Sequence, residues 1–228
     1  GFGQNKKLTI SEINSILAKS DSLLFAANFN ESLKLSKKAL EASLLIENPQ
    51  LIMLSYNSIA GNLEEIHEED QALNYYEKAL DYSNQSPDAS KFKFWIYNNM
   101  GNIYTFKKKN YDKGLDHYKK SFNRAIAEKD SSALVLINMN LAATYFKKLE
   151  YEKGIKHLNY SEKKINLFLY PDTECYLHNL LGIKYSFFKE NNLAQKHFEA
   201  AIKIARENNL DAYLIEVYSN YSNHYNSI

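Results

Sequence analysis

An internal repeat of about 40 residues is the feature that most constrains the fold of this chain. Five stretches align when the sequence is compared with itself: NESLKLSKKAL, DQALNYYEKAL, DKGLDHYKKSF, EKGIKHLNYSE and LAQKHFEAAIK. Each has a small residue near its start, at steps of 40, 42, 40 and 40 residues: Ser32, Ala72, Gly114, Gly154 and Ala194. A second small residue follows seven positions later in every stretch. A repeat of this period indicates supersecondary units that bury a shared core by stacking on their neighbours.

A second pattern lies upstream of the last four stretches. It reads YNSIAGNL from Tyr56, YNNMGNIY from Tyr97, NMNLAATY from Asn138 and HNLLGIKY from His178. Apolar residues spaced by three and four in both patterns indicate two amphipathic helices in each unit. Short polar turns such as HEED, KKKN and KEN separate the two helices, and the three prolines fall between units.

These units resemble tetratricopeptide repeats. The stretch WIYNNMGNIYTFKKKNYDKGLDHYKKSF, residues 95 to 122, carries the family's aromatic and small residues in the family's order. The units are longer than the family standard of about 34 residues. We assign one extra residue to the KKKN turn and the rest to the second helix and the loop that follows it. Units of this length resemble those of bacterial regulators and kinesin light chains.

The resemblance implies an all-α fold, a right-handed superhelical solenoid of antiparallel helix pairs. We expect a flexible N-terminus over residues 1–9 and a single solenoid over 10–228. Its five units span approximately 10–48, 49–86, 87–129, 130–169 and 170–209, and a half unit spans 210–228. The half unit supplies a first helix only, so we expect the natural protein to continue. We also expect self-association through its tyrosines, or fast amide exchange there.

Two glycines inside predicted helices need an explanation, because glycine in a helix interior costs about 1 kcal/mol relative to alanine. Gly101 lies in the first helix of the third unit and Gly114 in the second. We predict that they sit on facing helices of one hairpin, where the absence of a side chain lets the backbones approach closely.

The charge balance gives no reason to expect nucleic acid as a partner. The chain has 28 basic and 27 acidic residues, and only Arg124 and Arg206 are arginines. Recognition of phosphate and guanine edges favours arginine. The lysine clusters fall in turns and on outer helix faces among acidic residues, which is typical of a solvated surface. No apolar run approaches the roughly 20 residues that span a bilayer.

No catalytic, cofactor-binding or metal-binding motif is present. HEEDQ at His67 lacks the second histidine of a zinc motif, and no phosphate loop, GxSxG or CxxC occurs. His117, His157 and His197 recur at 40-residue steps, but stacked repeats place equivalent positions on the order of 10 Å apart, too far to share one ion. We interpret them as packing residues, and Cys175 as an ordinary buried cysteine. The chain is therefore expected to be non-enzymatic and to hold no cofactor or metal.

The resemblance also implies where a partner binds, because the first helices of such arrays line a concave groove. By the helical period, the groove face of each first helix comprises family positions two, five, nine and twelve. The residues predicted to contact a protein or peptide there are Asn57, Trp95, Asn98, Asn102, Met139, Phe146, Tyr176 and Asn179. Amides can hold a peptide backbone and aromatic residues its side chains. The alternative is that Asn98 and Asn102 merely follow the family consensus.

The function expected from these observations is a non-catalytic binding scaffold, the sensory or partner-binding domain of a larger bacterial signalling protein. The alternative is an intracellular receptor for a signalling peptide, as in quorum-sensing regulators. The segment FGQNKK, residues 2–7, resembles the stretch around signal-peptidase cleavage in exported proteins of Bacteroidetes-type bacteria. It favours a periplasmic or extracytoplasmic location over a cytoplasmic one. The sequence does not identify the ligand.

Overall fold

The structure is a computed structural model that describes residues 7–164 and 170–227. All of the regular secondary structure in these residues is helical, as the repeat predicts. Backbone contacts divide the chain into two compact units, residues 1–124 and 125–228, and each is described by itself. The prediction of one solenoid over residues 10–228 stays a prediction.

The first compact unit contains the N-terminal helix pairs. Its helices are α1 (Ile10–Phe25), α2 (Phe29–Leu45), α3 (Pro49–Glu65), α4 (Glu69–Ser83), the short α5 (Pro87–Ser90), α6 (Lys93–Asn102) and most of α7 (Tyr111–Ala127). α1 packs on α2, and α3 packs on α4. Of the predicted flexible segment 1–9, residues 1–6 lie outside the described part of the chain. Thr9 caps α1, because its side chain accepts a hydrogen bond from the Glu12 amide and Glu12 bonds back to the Thr9 amide.

The second compact unit contains the C-terminal helix pairs. Its helices are α8 (Ser131–Lys147), α9 (Tyr151–Lys164), α10 (Pro171–Phe187), α11 (Asn191–Glu207) and α12 (Asp211–Tyr225). α8 packs on α9 and α10 on α11, while α12 packs on both α10 and α11. The predicted units 130–169 and 210–228 include residues 165–169 and 228, which lie outside the described residues.

Most of the described turns between helices contain a residue in the left-handed conformation. In the described residues, eight positions that are not glycine have φ between 53° and 63°: Ala27, Glu47, His67, Lys109, Lys129, Leu149, Lys189 and Asn209. The hydrogen bonds around Leu149 are those of a Schellman motif, with the Glu150 amide donating to the Tyr145 carbonyl at 2.9 Å. A single turn type therefore serves both within and between units.

The two helix-interior glycines lie at a close contact, as predicted. A Cβ built on Gly101 would come within 2.6 Å of Cε1 of Tyr118, so the tyrosine ring occupies the space that a side chain would need. A Cβ on Gly114 would collide with Oγ1 of Thr105 and would lie 3.4 Å from the Gly101 carbonyl oxygen. The close packing compensates for the helix propensity that glycine loses.

The extra residue of the third unit lies in a helix and not in the KKKN turn. Residues Ile103–Lys107 form a π-helical segment after α6, and the Lys108 amide donates to the Ile103 carbonyl at 2.9 Å. Lys109 keeps the same left-handed conformation as the other turns. A π-bulge accommodates one inserted residue inside a helix and is common at functional sites.

Among the described residues, no helix combines the length and the apolar character that crossing a bilayer requires.

Candidate functional site

The predicted groove residues differ in how much of their surface is accessible. Five of them are buried: Asn98, Met139, Phe146, Tyr176 and Asn179. The other three keep accessible surface, with Trp95 37% exposed and Asn57 and Asn102 half-buried. Most of the buried side chains are thus engaged in packing, and a binding site requires accessible surface.

In the first compact unit, two of the predicted residues contact aromatic side chains. Oδ1 of Asn102 accepts a hydrogen bond from the buried Tyr118 hydroxyl at 2.7 Å. The Trp95 ring packs on Phe94, with ring centroids 4.9 Å apart. Oδ1 of Asn57 is buried and has no hydrogen-bond partner. Part of the hydrogen-bonding capacity of the predicted groove amides is therefore used within the protein.

In the second compact unit, the predicted residues mainly pack against their neighbours. Tyr176 meets the ring of Tyr213 edge-on, with centroids 6.2 Å apart. Oδ1 of Asn179 accepts a hydrogen bond from Asn220 at 3.1 Å. Phe146 is the exception, because it also lines an open cavity.

This cavity has a volume of about 420 Å³ and lies within residues 143–227. Three first helices, α8, α10 and α12, supply most of its lining, and Leu149, Tyr151, Phe198 and Ser227 supply the rest. Ala143, Phe146, Ile183 and Ser186 occupy groove-face positions of their helices. A cavity of this size falls within the range of ligand-binding pockets.

One wall of the cavity is aromatic. The rings of Phe146 and Tyr151 stack with centroids 5.7 Å apart, and those of Tyr151 and Phe187 stack at 4.9 Å. Leu149 and Phe187, at the rim, are 73% and 38% exposed. Exposed apolar side chains beside a concave surface are typical of interaction sites.

The polar wall of the cavity belongs mainly to α12. It presents Glu216, Asn220, Asn223 and His224, followed by Ser227. Nδ1 of His224 lies 2.8 Å from Oγ of Ser186. Lys147 of α8 forms an ion pair with Glu216 at 3.3 Å, and both side chains are about one-third exposed. The lining of the cavity therefore combines aromatic rings with amide groups.

The Ser186–His224 contact does not extend to a catalytic triad in the described residues. Such a triad needs a carboxylate that orients the histidine, and the hydrogen bonds of His224 go to Ser186 and, through its carbonyl, to Ser227. Likewise, the described residues contain no group of three or more histidine, cysteine or acidic side chains placed to hold a metal ion.

The polar wall is not among the residues predicted from sequence, which include only the tyrosines of the half unit. Asn223 lies 40 residues after Ile183, a groove-face position of the fifth unit. Applying the same positions to the half unit would therefore have predicted Asn223. Asn220 and His224 lie beside the groove-face positions, and only the packing of α12 shows that they reach the cavity.

No family model matches the sequence, and no curated protein matches it. The crystal structure of the apo form of RapI matches with a TM-score of 0.72 and 17% identity over 98% of this chain and 85% of RapI. A Rap protein complexed with competence and sporulation factor matches at 0.70 with 16% identity, over 96% of this chain and 65% of its own. BtubC from P. vanneervenii matches at 0.69 with 16% identity, over 87% of this chain and 82% of BtubC. These are tetratricopeptide-repeat proteins. The chain has a tetratricopeptide-repeat fold.

Within this tetratricopeptide-repeat fold, the recurring histidines stack on the first-helix tyrosines. His117 lies parallel to Tyr104, His157 to Tyr145 and His197 to Tyr185, with ring centroids 5.2, 5.7 and 5.2 Å apart and interplanar angles of 11°, 10° and 5°. Each pair joins the two helices of one unit. This stacking geometry agrees with the interpretation of the three histidines as packing residues.

The fifth tetratricopeptide unit adds a histidine pair to this stack. Nδ1 of His178 lies 2.9 Å from Nδ1 of His197. At the equivalent place in the fourth unit, Oδ1 of Asn138 lies 2.8 Å from Nδ1 of His157. Burial, followed by the charge of His178, lowers the pKa of His197 to about 4, and burial also lowers the pKa of His178. Both rings are therefore neutral near pH 7.

Cys175 is buried in the core of the fifth unit. Its thiol lies 3.5 Å from the Ala201 carbonyl oxygen. Burial is the main cause that raises the pKa of Cys175 to about 11, so the thiol is protonated and unreactive at neutral pH.

Proposed function

We propose that this chain is a non-catalytic scaffold that binds an extended peptide segment of a partner in the cavity of residues 143–227. The observation that carries the proposal is a cavity of about 420 Å³ whose lining combines aromatic rings with amide side chains. An extended peptide has the same division, with apolar side chains on one side and backbone hydrogen-bonding groups along its edge.

The two walls have separate roles in this proposal. The rings of Phe146, Tyr151 and Phe187 take an apolar side chain of the peptide, because their stacked faces offer a large apolar surface. The amides of Asn220 and Asn223 bind the peptide backbone as both donors and acceptors. Of the groove residues predicted from sequence, Phe146 is the one that lines this cavity, although only 5% of its surface is exposed.

The similarity to a Rap protein complexed with competence and sporulation factor supports a peptide as the ligand. It also favours a second candidate, an intracellular receptor domain for a signalling peptide. The first candidate is the sensory or partner-binding domain of a larger bacterial signalling protein. The two candidates differ in the cellular compartment where the peptide binds, and both use the same cavity.

Selection from a displayed library of random heptapeptides tests the proposal. We expect selected peptides to share an apolar or aromatic residue. Phe187→Ala should weaken their binding by about 30-fold or more, as expected for truncation of an aromatic anchor. Asn223→Ala should weaken it by roughly 2- to 10-fold, the effect of one lost hydrogen bond.

The matched control is Phe25→Ala, since Phe25 is 91% exposed and lies in the first compact unit, outside the cavity. It should leave the affinity unchanged. Selected peptides that bind the Phe187→Ala and Asn223→Ala variants as tightly as the parent would rule out this cavity as the binding site.

A further inference from the structure

We infer that three tyrosines of the second unit, Tyr56, Tyr75 and Tyr82, form a binding site for a quaternary ammonium group such as that of choline. These residues are called the tyrosine cluster below. None of them occupies a groove-face position, because Tyr56 precedes the groove residue Asn57 and the other two belong to the second helix. All three lie in the first compact unit, so the site is independent of the cavity in residues 143–227.

The ring of Tyr56, on α3, lies against two rings of α4. Its centroid is 5.9 Å from that of Tyr75 and 5.7 Å from that of Tyr82. The interplanar angles are 43° and 40°, so neither ring of α4 is stacked flat on Tyr56. All three tyrosines pack on the core of the unit and are half-buried. The cluster therefore presents an accessible aromatic surface that the core supports.

An ammonium group of the protein itself lies on this surface. Nζ of Lys78 is 4.7 Å from the ring centroid of Tyr75 and 6.0 Å from that of Tyr56. Both distances fall within the reach of a cation–π interaction. Among the described residues, Lys78 is in no ion pair with a carboxylate, so the tyrosine rings are the groups that attract its charge. The position of Nζ marks where a cation binds.

A quaternary ammonium group suits the cluster better than the lysine does. A lysine ammonium is a compact, strongly hydrated charge with three N–H donors, and ring faces do not replace its water well. A quaternary ammonium has no N–H, and its methyl groups bring the positive charge into contact with the negative faces of the rings. Lys78 has a flexible stem and an exposed side chain, so it can move into solvent when a ligand binds.

The repeat does not require aromatic residues at all of these places. In the next three units, the equivalents of Tyr75 are His117, His157 and His197. Those of Tyr82 are Arg124, Lys164 and Ile204. Two of the latter carry a positive charge where the second unit has a ring. Because the other helix pairs form without such a cluster, packing between α3 and α4 does not by itself explain it.

Choline is the probe, and its neutral isostere 3,3-dimethylbutan-1-ol is the comparison. The readout is the ring ¹H–¹³C signals of the three tyrosines, each assigned by its loss in the corresponding tyrosine-to-phenylalanine variant. We expect choline to shift these signals in a saturable manner, with nuclear Overhauser contacts between its methyl protons and the rings of Tyr56 and Tyr75. The neutral alcohol should bind at least about fivefold more weakly, because it lacks the charge that the ring faces attract.

Two substitutions should change choline binding in opposite directions. Lys78→Met keeps an apolar stem and removes the ammonium that competes for the rings, so it should tighten binding by about threefold. Tyr75→Leu removes the ring nearest to the cation and should weaken binding by about fivefold or more. Tyr170→Leu is the matched control, since Tyr170 is 70% exposed and lies in the second compact unit. It should bind choline as the parent does.

Tyr75 also packs on the core, so Tyr82→Leu is measured beside Tyr75→Leu, and thermal midpoints establish that each variant is folded. Tyr82→Leu should also weaken binding. Equal effects of choline and the neutral alcohol would identify an apolar patch and overturn the inference. Undiminished binding by both tyrosine variants, or ring signals that choline leaves unmoved in the parent and in Lys78→Met, would overturn it as well.

Discussion

The ring of Tyr118 occupies the space that a side chain on Gly101 would need. The ideal Cβ position of Gly101 lies 2.6 Å from Cε1 and 2.7 Å from Cδ1 of that ring. Tyr118 is fully buried, and its hydroxyl donates to Asn102, one residue beyond Gly101. The tyrosine therefore cannot move away without losing both its packing and its hydrogen bond.

We expect Gly101→Ala to destabilise the protein by roughly 1–3 kcal/mol, because the added methyl group overpacks this contact. Gly61→Ala provides the control. A Cβ at Gly61 would meet Leu24 at 3.7 Å and the Tyr76 hydroxyl at 4.0 Å, which are ordinary contacts. This variant should gain up to about 1 kcal/mol from helix propensity. Denaturant titrations measure both, and equal midpoints for the two variants would contradict the overpacking argument.

The left-handed turns predict stabilising substitutions. Lys129 and Lys189 have φ of 57° and 59°, a region that costs a residue with a side chain roughly 1–2 kcal/mol. Lys129→Gly and Lys189→Gly should each raise the free energy of unfolding by up to about 1 kcal/mol. Lys37→Gly, at an exposed position inside α2, should lower it by about 1 kcal/mol. Loss of stability in the two turn variants would show that the turns tolerate lysine without strain.

The His178–His197 pair predicts a loss of stability in mild acid. The pKa of His197 is lowered to about 4 in the folded protein, against about 6.5 in an unfolded chain. The unfolded state therefore binds the extra proton first, and stability present above about pH 6.5 is lost as the pH falls towards 4. Because the rings are partly exposed, we expect an effect of only about 1–2 kcal/mol.

The fourth unit supplies the matched variant for this test. His178→Asn reproduces the Asn138–His157 arrangement, in which an amide oxygen can accept the proton of a charged histidine. Thermal midpoints measured between pH 7.5 and 5 should fall less in His178→Asn than in the parent. The other titrating groups are common to both proteins. Parallel pH profiles would mean that the histidine pair does not couple to stability.

The exposed side of α12 predicts self-association. Ile215, Tyr218 and Tyr225 are 74%, 41% and 52% exposed. Large exposed apolar side chains favour association or, failing that, local opening with fast amide exchange. Ile215→Ser should reduce this self-association, as measured by sedimentation in the analytical ultracentrifuge. A monomer with strong amide protection over residues 211–225 would be incompatible with this prediction.

The helix-pair architecture followed from the sequence alone. Spacing of three and four among apolar residues requires amphipathic helices, and the small residues at 40-residue steps mark where those helices come close. Gly101 and Gly114 were predicted to lie at a close contact because glycine inside a helix needs a packing reason, and the contacts with Tyr118 and Thr105 supply it. Local patterns of this kind are determined by the helical backbone, which is common to the units.

The tertiary structure alone decided how accessible each groove residue is. The helical period gives the direction of a side chain but not what packs against it, so Met139 was assigned to the groove face and yet is fully buried. The position of the inserted residue in the π-helical segment Ile103–Lys107 also depends on packing, because a turn and a helix can both absorb it. The cavity of residues 143–227 is lined by side chains from different helices. Its shape depends on the distances between those helices, and the spacing of residues within one helix does not contain that information.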